Sequence, residues 1–211
     1  GGKIVFTKDI TFSSSSLINK YFDVYDPELR CYLEAARERN TLEKVLGLID
    51  KVKNFRVLLV GDVIIDEYQY VQPLGKSPKE NMIATIYRDS EIFAGGVIAA
   101  ANHVASFCKE VDVITMIGGK DPEDEDVIRR SVLPNVRLHL VRRPGVPATR
   151  KTRFVDLGYM RKLFEVYTMD DSYMGLELES QILALICEIA GQCDLSVTTD
   201  FGHGLLTENA R

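Results

Sequence analysis

The chain has 211 residues, 45% hydrophobic and 27% charged, with a net charge of −5 and a pI near 5.3. Such a chain can bury a sizeable core, as one domain or as one domain with a piece of another. Interspersed acids and bases argue against a nucleic-acid partner, and no apolar run approaches the length of a membrane-spanning helix. The N-terminus lacks a basic-then-apolar signal pattern. The four cysteines (Cys31, Cys108, Cys187, Cys193) form no CxxC pair, so reduced core thiols and a cytoplasmic location are expected.

In chain order, GGKIVFT reads as a short strand. ITFSSSSLINKYF then sets four serines ahead of an apolar pair, either a linker or a turn whose serines cap a helix. Asp26-Pro27-Glu28 is a helix start. Two amphipathic helices are expected over 27–53, the second carrying Leu42, Val45, Leu46, Ile49 and Val52 on one face. Arg56 to Ile65 is a continuous apolar run, as in a strand of a parallel sheet buried on both faces, with Gly61-Asp62 ending its regular part. Residues 67–93 look like an exposed hairpin or lid. From Gly95 to Cys108 the pattern is helical. Then come strands over 111–117 and 136–141, separated by a helix from Asp121 to Leu133. A hairpin is expected from 150–156 and 162–167, then a helix over 176–190, then a strand over 194–199 ending in DFGHG (200–204). Strand and helix alternate on short connections, which predicts an α/β fold with a mostly parallel sheet.

In such a sheet, ligands bind beyond the carboxyl ends of the strands. Three groups fall there. Asp66 follows an apolar run and could accept hydrogen bonds from sugar hydroxyls, or cap a loop. Asp62 reads better as an acid that satisfies turn backbone. Gly95-Gly96 would let a ligand approach backbone at a helix N-terminus, or serve close packing. Asp200 could orient a substrate or a metal-bound water. His203 could donate to a substrate, though a lone loop histidine is more often incidental. Several chemistries lack their motifs: there is no GxGxxG, no GxxxxGK[ST], no HExxH and no GxSxG. The DFG tripeptide has neither an HRD loop nor a kinase glycine loop before it. The three histidines are far apart in sequence, so no zinc site is expected.

Taken together, VLLVGDVIIDEY, AGGVIAAANHVASF, VDVITMIGG, PATRKTRFVDLGYMRKLFEVY and SVTTDFGHGLL resemble the ribokinase-like carbohydrate kinases. Within that family they resemble the kinase part of bifunctional heptose-phosphate kinase/nucleotidyltransferase proteins. The resemblance covers residues 55 to 211. It implies a three-layer α/β/α fold with a small β lid, and ATP- and Mg2+-dependent phosphorylation of a sugar or sugar phosphate. It places Asp66 on the family's sugar-binding aspartate and Gly95 and Gly96 on its substrate-binding glycine pair. Glu165 would fall on a lid acid that reaches the sugar. The family's Asn three residues after the second glycine is Ala99 here, and Asn102 lies one turn later. The family's Gly-Ala-Gly-Asp base motif would lie past Arg211. The expectation is therefore a C-terminally truncated kinase domain, poor in activity by itself, with no catalytic base, no bound metal and no bound cofactor of its own.

ITFSSSSLIN in turn resembles the closing segment of a cytidylyltransferase-like domain. Ser13, Ser14 and Ser15 would match its phosphate-contacting positions. The expected organisation is 1–25 as a transferase remnant, 26–53 as a helical linker and 54–211 as the kinase part. The expected partners are a sugar or sugar phosphate and a second copy joined through exposed lid strands, with no nucleic acid and no membrane. The rival from another class is a catalytically silent sugar-phosphate-binding or regulatory module, which Ala99 favours. A nucleotide-binding dehydrogenase-like domain fails on the missing GxGxxG.

Overall fold

A computed structural model describes residues 14–21, 25–77, 79–120 and 122–207. The chain divides into two compact units, Gly1–Leu48 and Ile49–Arg211. The first holds α1 (Ser14–Tyr21), α2 (Pro27–Arg39) and the start of α3 (Leu42–Val52). Helix α2 begins as its sequence requires. The Asp26 carboxylate accepts the Leu29 N–H at 2.8 Å, and Pro27 occupies the first turn, where its missing N–H costs nothing. The strand expected over GGKIVFT lies outside the described residues.

The second unit contains β1 (Arg56–Gly61), β2 (Val63–Lys76), β3 (Ile83–Gly96), α4 (Val97–Ala105), β4 (Glu110–Gly118), α5 (Pro122–Ser131), β5 (Val136–Arg143), β6 (Arg150–Asp156), β7 (Arg161–Thr168), α6 (Leu176–Ala190) and β8 (Leu195–Thr199). Four of these strands form a parallel sheet in the order β5-β4-β1-β8. Alternate residues of β1 and β4 serve opposite faces. Val57, Leu59, Val111 and Val113 pack with Ile98 and Ala101 of α4 and Ile128 of α5. Leu58, Val60 and Ile114 pack with Ile182 and Ile189 of α6. Both faces being covered explains the unbroken apolar run of β1. The result is a three-layer α/β/α platform. Each fully buried Leu or Ile contributes about 1.5–3 kcal/mol.

The other four strands form a second sheet, β3-β2-β6-β7, which is the lid. Strands β2 and β3 are an antiparallel hairpin, β6 lies parallel to β2, and β7 returns antiparallel to β6. The apolar run over 56–65 is therefore divided between two sheets rather than lying in one: β1 belongs to the platform and β2 to the lid. The break falls at Asp62, whose carboxylate is turned onto the loop after β8. There it accepts N–H groups from Phe201 at 2.9 Å, His203 at 3.3 Å and Leu205 at 3.2 Å. Asp62 thus satisfies loop backbone, as read from sequence. Its carbonyl also accepts the first N–H of α4, from Val97, at 2.9 Å. No helix among the described residues is long and apolar enough to cross a membrane.

Candidate functional site

Strand β2 alternates, so Asp66, Tyr68 and Tyr70 share one face of the lid sheet. Antiparallel pairing puts Phe93 opposite Asp66 and Glu91 opposite Tyr68. Helix α4 offers Ala99, Asn102, His103 and Ser106, spaced as one helical face. These two surfaces line an open cleft of about 840 Å³, which Ser131 and Leu133 also border.

Asp66 and the glycine pair meet at the root of this cleft. A Cβ on Gly95 would lie 2.1 Å from Asp66 Oδ2, so glycine is what leaves the carboxylate its place. Gly96 has φ +59°, and a Cβ there would lie 2.3 Å from the Asp62 carbonyl oxygen. Left-handed backbone and close contact both demand glycine. The pair ends β3 and lets the chain turn into α4, which begins at Val97, two residues later than the Gly95 start expected from sequence. The other Asp66 oxygen, Oδ1, accepts from Arg153 Nη1. Arg153 also donates to Glu165 at 3.1 Å and lies over the Tyr68 ring, 5.3 Å from its centroid.

The walls suit a polyhydroxylated body. Tyr68 and Phe93 meet edge to face at 5.9 Å, and Asp66 and Glu91 bring carboxylate acceptors. Tyr70 donates to Glu91 at 2.6 Å, and that bond pushes the Tyr70 phenol up. His103 is the one basic side chain among the described lining residues.

The remaining site residues are placed as follows. Asn102 lines the cleft, but its amide donates to the Ser131 carbonyl at 2.7 Å and accepts from the Leu133 N–H at 3.0 Å, tying α4 to the end of α5. Ala99 also lines the cleft. Glu165 is on β7, beyond the lining. It touches Asp66 through Arg153, and its carboxyl is held below the usual range first by the hydrogen bond from Tyr167. Asp200 is exposed and accepts the Gly202 N–H at 2.9 Å in its own loop, away from the lining. Ser14 and Ser15 are exposed in the first turn of α1, and Ser13 lies outside the described residues.

Sequence reading missed Tyr68, Tyr70, Phe93, His103 and Arg153. The first two were available as a two-residue repeat from Asp66, and His103 as one turn of helix from Ala99. Arg153 depends on the β2–β6 register, which no local pattern carries.

No family model matches the chain. Among curated proteins it is similar to the bifunctional protein HldE of Rhodopseudomonas palustris (strain BisB5), 27% identical over 163 residues. That match covers 76% of this chain and 33% of the relative. HldE of Hyphomonas neptunium is 27% identical over 167 residues, covering 78% of this chain and 34% of the relative. The chain thus spans about a third of the length of these relatives. Among solved structures, a Thermotoga maritima protein described as a possible 1-phosphofructokinase superposes with a TM-score of 0.53 at 12% identity. It covers 68% of this chain and 44% of that one. Phosphofructokinase-2 of Escherichia coli, in complex with fructose-6-phosphate, superposes with a TM-score of 0.50 at 13% identity, covering 69% and 45%. These identities speak for the fold.

Proposed function

We propose that this chain, which belongs to the ribokinase-like carbohydrate kinases, supplies the sugar-binding part of an enzyme that phosphorylates a sugar or sugar phosphate with ATP. The observation that carries the reading is the Asp66 carboxylate seated over Gly95 at the root of an aromatic, acid-lined cleft. Arg153 occupies one oxygen of Asp66, which leaves Oδ2 to accept a sugar hydroxyl. Phe93 and Tyr68 cover the apolar faces of the ring, and the lid strands exclude water from the reacting groups.

ATP is the phosphoryl donor in this reading, and Mg2+ accompanies it. Among the described residues no group of three or more His, Cys, Asp or Glu side chains is arranged to hold a metal ion. In this reading the magnesium would be carried by the nucleotide phosphates, where it would neutralise their charge. Nor does the Gly-Ala-Gly-Asp base motif occur in the 211 residues, so these residues alone are expected to turn over slowly. The likeness to HldE supports a bifunctional kinase/nucleotidyltransferase making a nucleotide-activated sugar, with 1–25 as transferase remnant, 26–53 as linker and 54–211 as kinase part. The thiols are free, which suits a cytoplasmic setting, but the core placement expected from sequence holds only for Cys108: Cys193 is half-buried, and Cys31 and Cys187 are exposed on helices.

A homodimer through the lid is part of the proposal. Ile83, Ile86 and Ile92 of β3 and Phe164 and Val166 of β7 are exposed apolar residues on the two outer strands of the lid sheet. Light scattering on Ile92→Lys/Phe164→Lys tests it: a dimer in the parent chain that becomes a monomer is expected, and an unchanged mass overturns it.

The competing silent-module reading draws on Ala99 in the cleft lining and on the spent amide of Asn102. Binding separates neither reading from the other, but turnover does. Sugar-dependent ADP release by the full-length protein supports the kinase; tight sugar binding with no ADP release supports the silent module.

A further inference from the structure

A second cavity lies beyond the carboxyl ends of β1, β4 and β5, apart from the sugar cleft. Asp62, Arg143, Thr149, Asp170 and His203 help to line it. Its volume is about 20 Å³, room for one water-sized group.

His203 carries the argument. Its side chain is only 9% exposed, and Nδ1 lies 3.1 Å from Asp171 Oδ1. Nε2 is buried and has no hydrogen-bond partner among the described residues. A carboxylate only accepts, so Asp171 keeps a ring proton on Nδ1. In the neutral ring Nε2 is then left as a lone-pair acceptor. A buried acceptor without a donor is costly. Asp62 fixes the backbone that carries the ring by accepting the Phe201, His203 and Leu205 N–H groups.

Charge selects the guest. Asp62 and Asp170 line the cavity, and Asp171 stands behind the imidazole. The Arg143 guanidinium is already spent on the Asp170 and Tyr173 carbonyls, on Ser172 Oγ and on the Asp170 carboxylate. Three acids against one committed base disfavour a phosphate. The volume excludes a whole sugar ring. We infer that Asp171, His203 and this cavity form an acceptor site for a single O–H donor, either one hydroxyl of a bound polyol or one water, hydrogen-bonded to His203 Nε2. This site uses none of the cleft residues, so it stands or falls separately from the sugar reading.

Nitrogen NMR on the full chain with 15N-labelled histidine tests it. The sequence has three histidines, so each resonance is assigned by its own His→Gln variant. The expected result is a neutral His203 protonated on Nδ1, with the Nε2 shift of a hydrogen-bond acceptor. Asp171→Asn is expected to bring up the Nε2–H tautomer. Titration with glycerol, heptose 7-phosphate and fructose 6-phosphate then separates the sources. A saturable Nε2 shift identifies a polyol hydroxyl, and an Nε2 unchanged by all three but still shifted as an acceptor identifies water. A ring protonated on Nε2 in the parent chain, as the Nε2–H tautomer or as the imidazolium, overturns the site, as does an Nε2 with the shift of a free imidazole. The parent spectrum decides this even if Asp171→Asn fails to fold.

Discussion

Leu59, in the middle of β1, is completely buried between two helical layers; Ile92, in β3, is 42% exposed. The contrast holds for the sheets they belong to. The platform is parallel and apolar on both faces, with its order set by burial. The lid is tied by directional bonds between polar side chains: Arg153 to Asp66 and Glu165, Arg150 to Glu67, Tyr70 to Glu91, and Arg88 to Gln72. Exposed ones among them, such as Tyr70 to Glu91 and Arg88 to Gln72, are each worth about 0–1 kcal/mol, much less than a buried Leu. The lid is therefore the part that can open locally while the platform stays folded, as a cover over a binding cleft must. One side chain spans the two regions: Arg150, in β6, donates to Glu67 in the lid and to buried Asp124 in α5.

The largest expected effect is on the platform. Leu59→Ala should cost about 3 kcal/mol in chemical denaturation, and Ile92→Ala about 0.5 kcal/mol or less. Equal costs would erase the distinction between the sheets. Next comes the junction. Asp62→Ala leaves three loop N–H groups without their charged acceptor and should cost about 2–3 kcal/mol. It should also speed hydrogen exchange at Phe201, His203 and Leu205 ahead of β1; exchange that stays slow there would show that the loop does not depend on the carboxylate.

Acid should reach both regions through different groups. Burial raises Glu67, but hydrogen bonds from Gln69, Thr152 and Arg150 outweigh it and hold the carboxyl below its ordinary value. Asp112, in β4, is likewise raised by burial and brought down by Arg137 and His139. A carboxyl lowered in the folded state contributes stability that is complete above the ordinary carboxylate range. That stability is lost as pH falls through the folded value. Glu67→Gln should flatten the acid limb of the lid's exchange, and Asp112→Asn that of global unfolding. A parent chain whose stability rises on acidification would contradict both. The smallest effect is expected at Glu165→Gln: under about 0.5 kcal/mol of stability at this exposed site, with sugar affinity lowered a few-fold because Arg153 loses one anchor. A large loss of affinity would mean that Glu165 touches the sugar directly.

Helix α6 (Leu176–Ala190) and strand β6 (Arg150–Asp156) have the bounds their sequences suggest, because amphipathic spacing and alternation are local. The break at Gly61-Asp62 was legible, but not that its two sides join different sheets, because residues 57–60 and 63–65 are all buried and apolar. What separates them is the bond from Asp62 to a loop some 140 residues later. The glycine pair was visible, but the reason for Gly95 was not. It is the Asp66 carboxylate, brought against it by the β2–β3 register. Glu165 came from the resemblance, as a lid acid reaching the sugar; its link to Asp66 through Arg153 depends on the β2–β6 and β6–β7 registers, which no local pattern carries.

The most direct test of the sugar site is calorimetric titration of the chain with heptose 7-phosphate, fructose 6-phosphate and an unphosphorylated sugar, repeated with Asp66→Ala and Gly95→Ala. The account expects saturable binding of one of these that both substitutions abolish, while the variants keep the parent's circular dichroism. Binding that survives both substitutions, or no binding by any of the three, would contradict it.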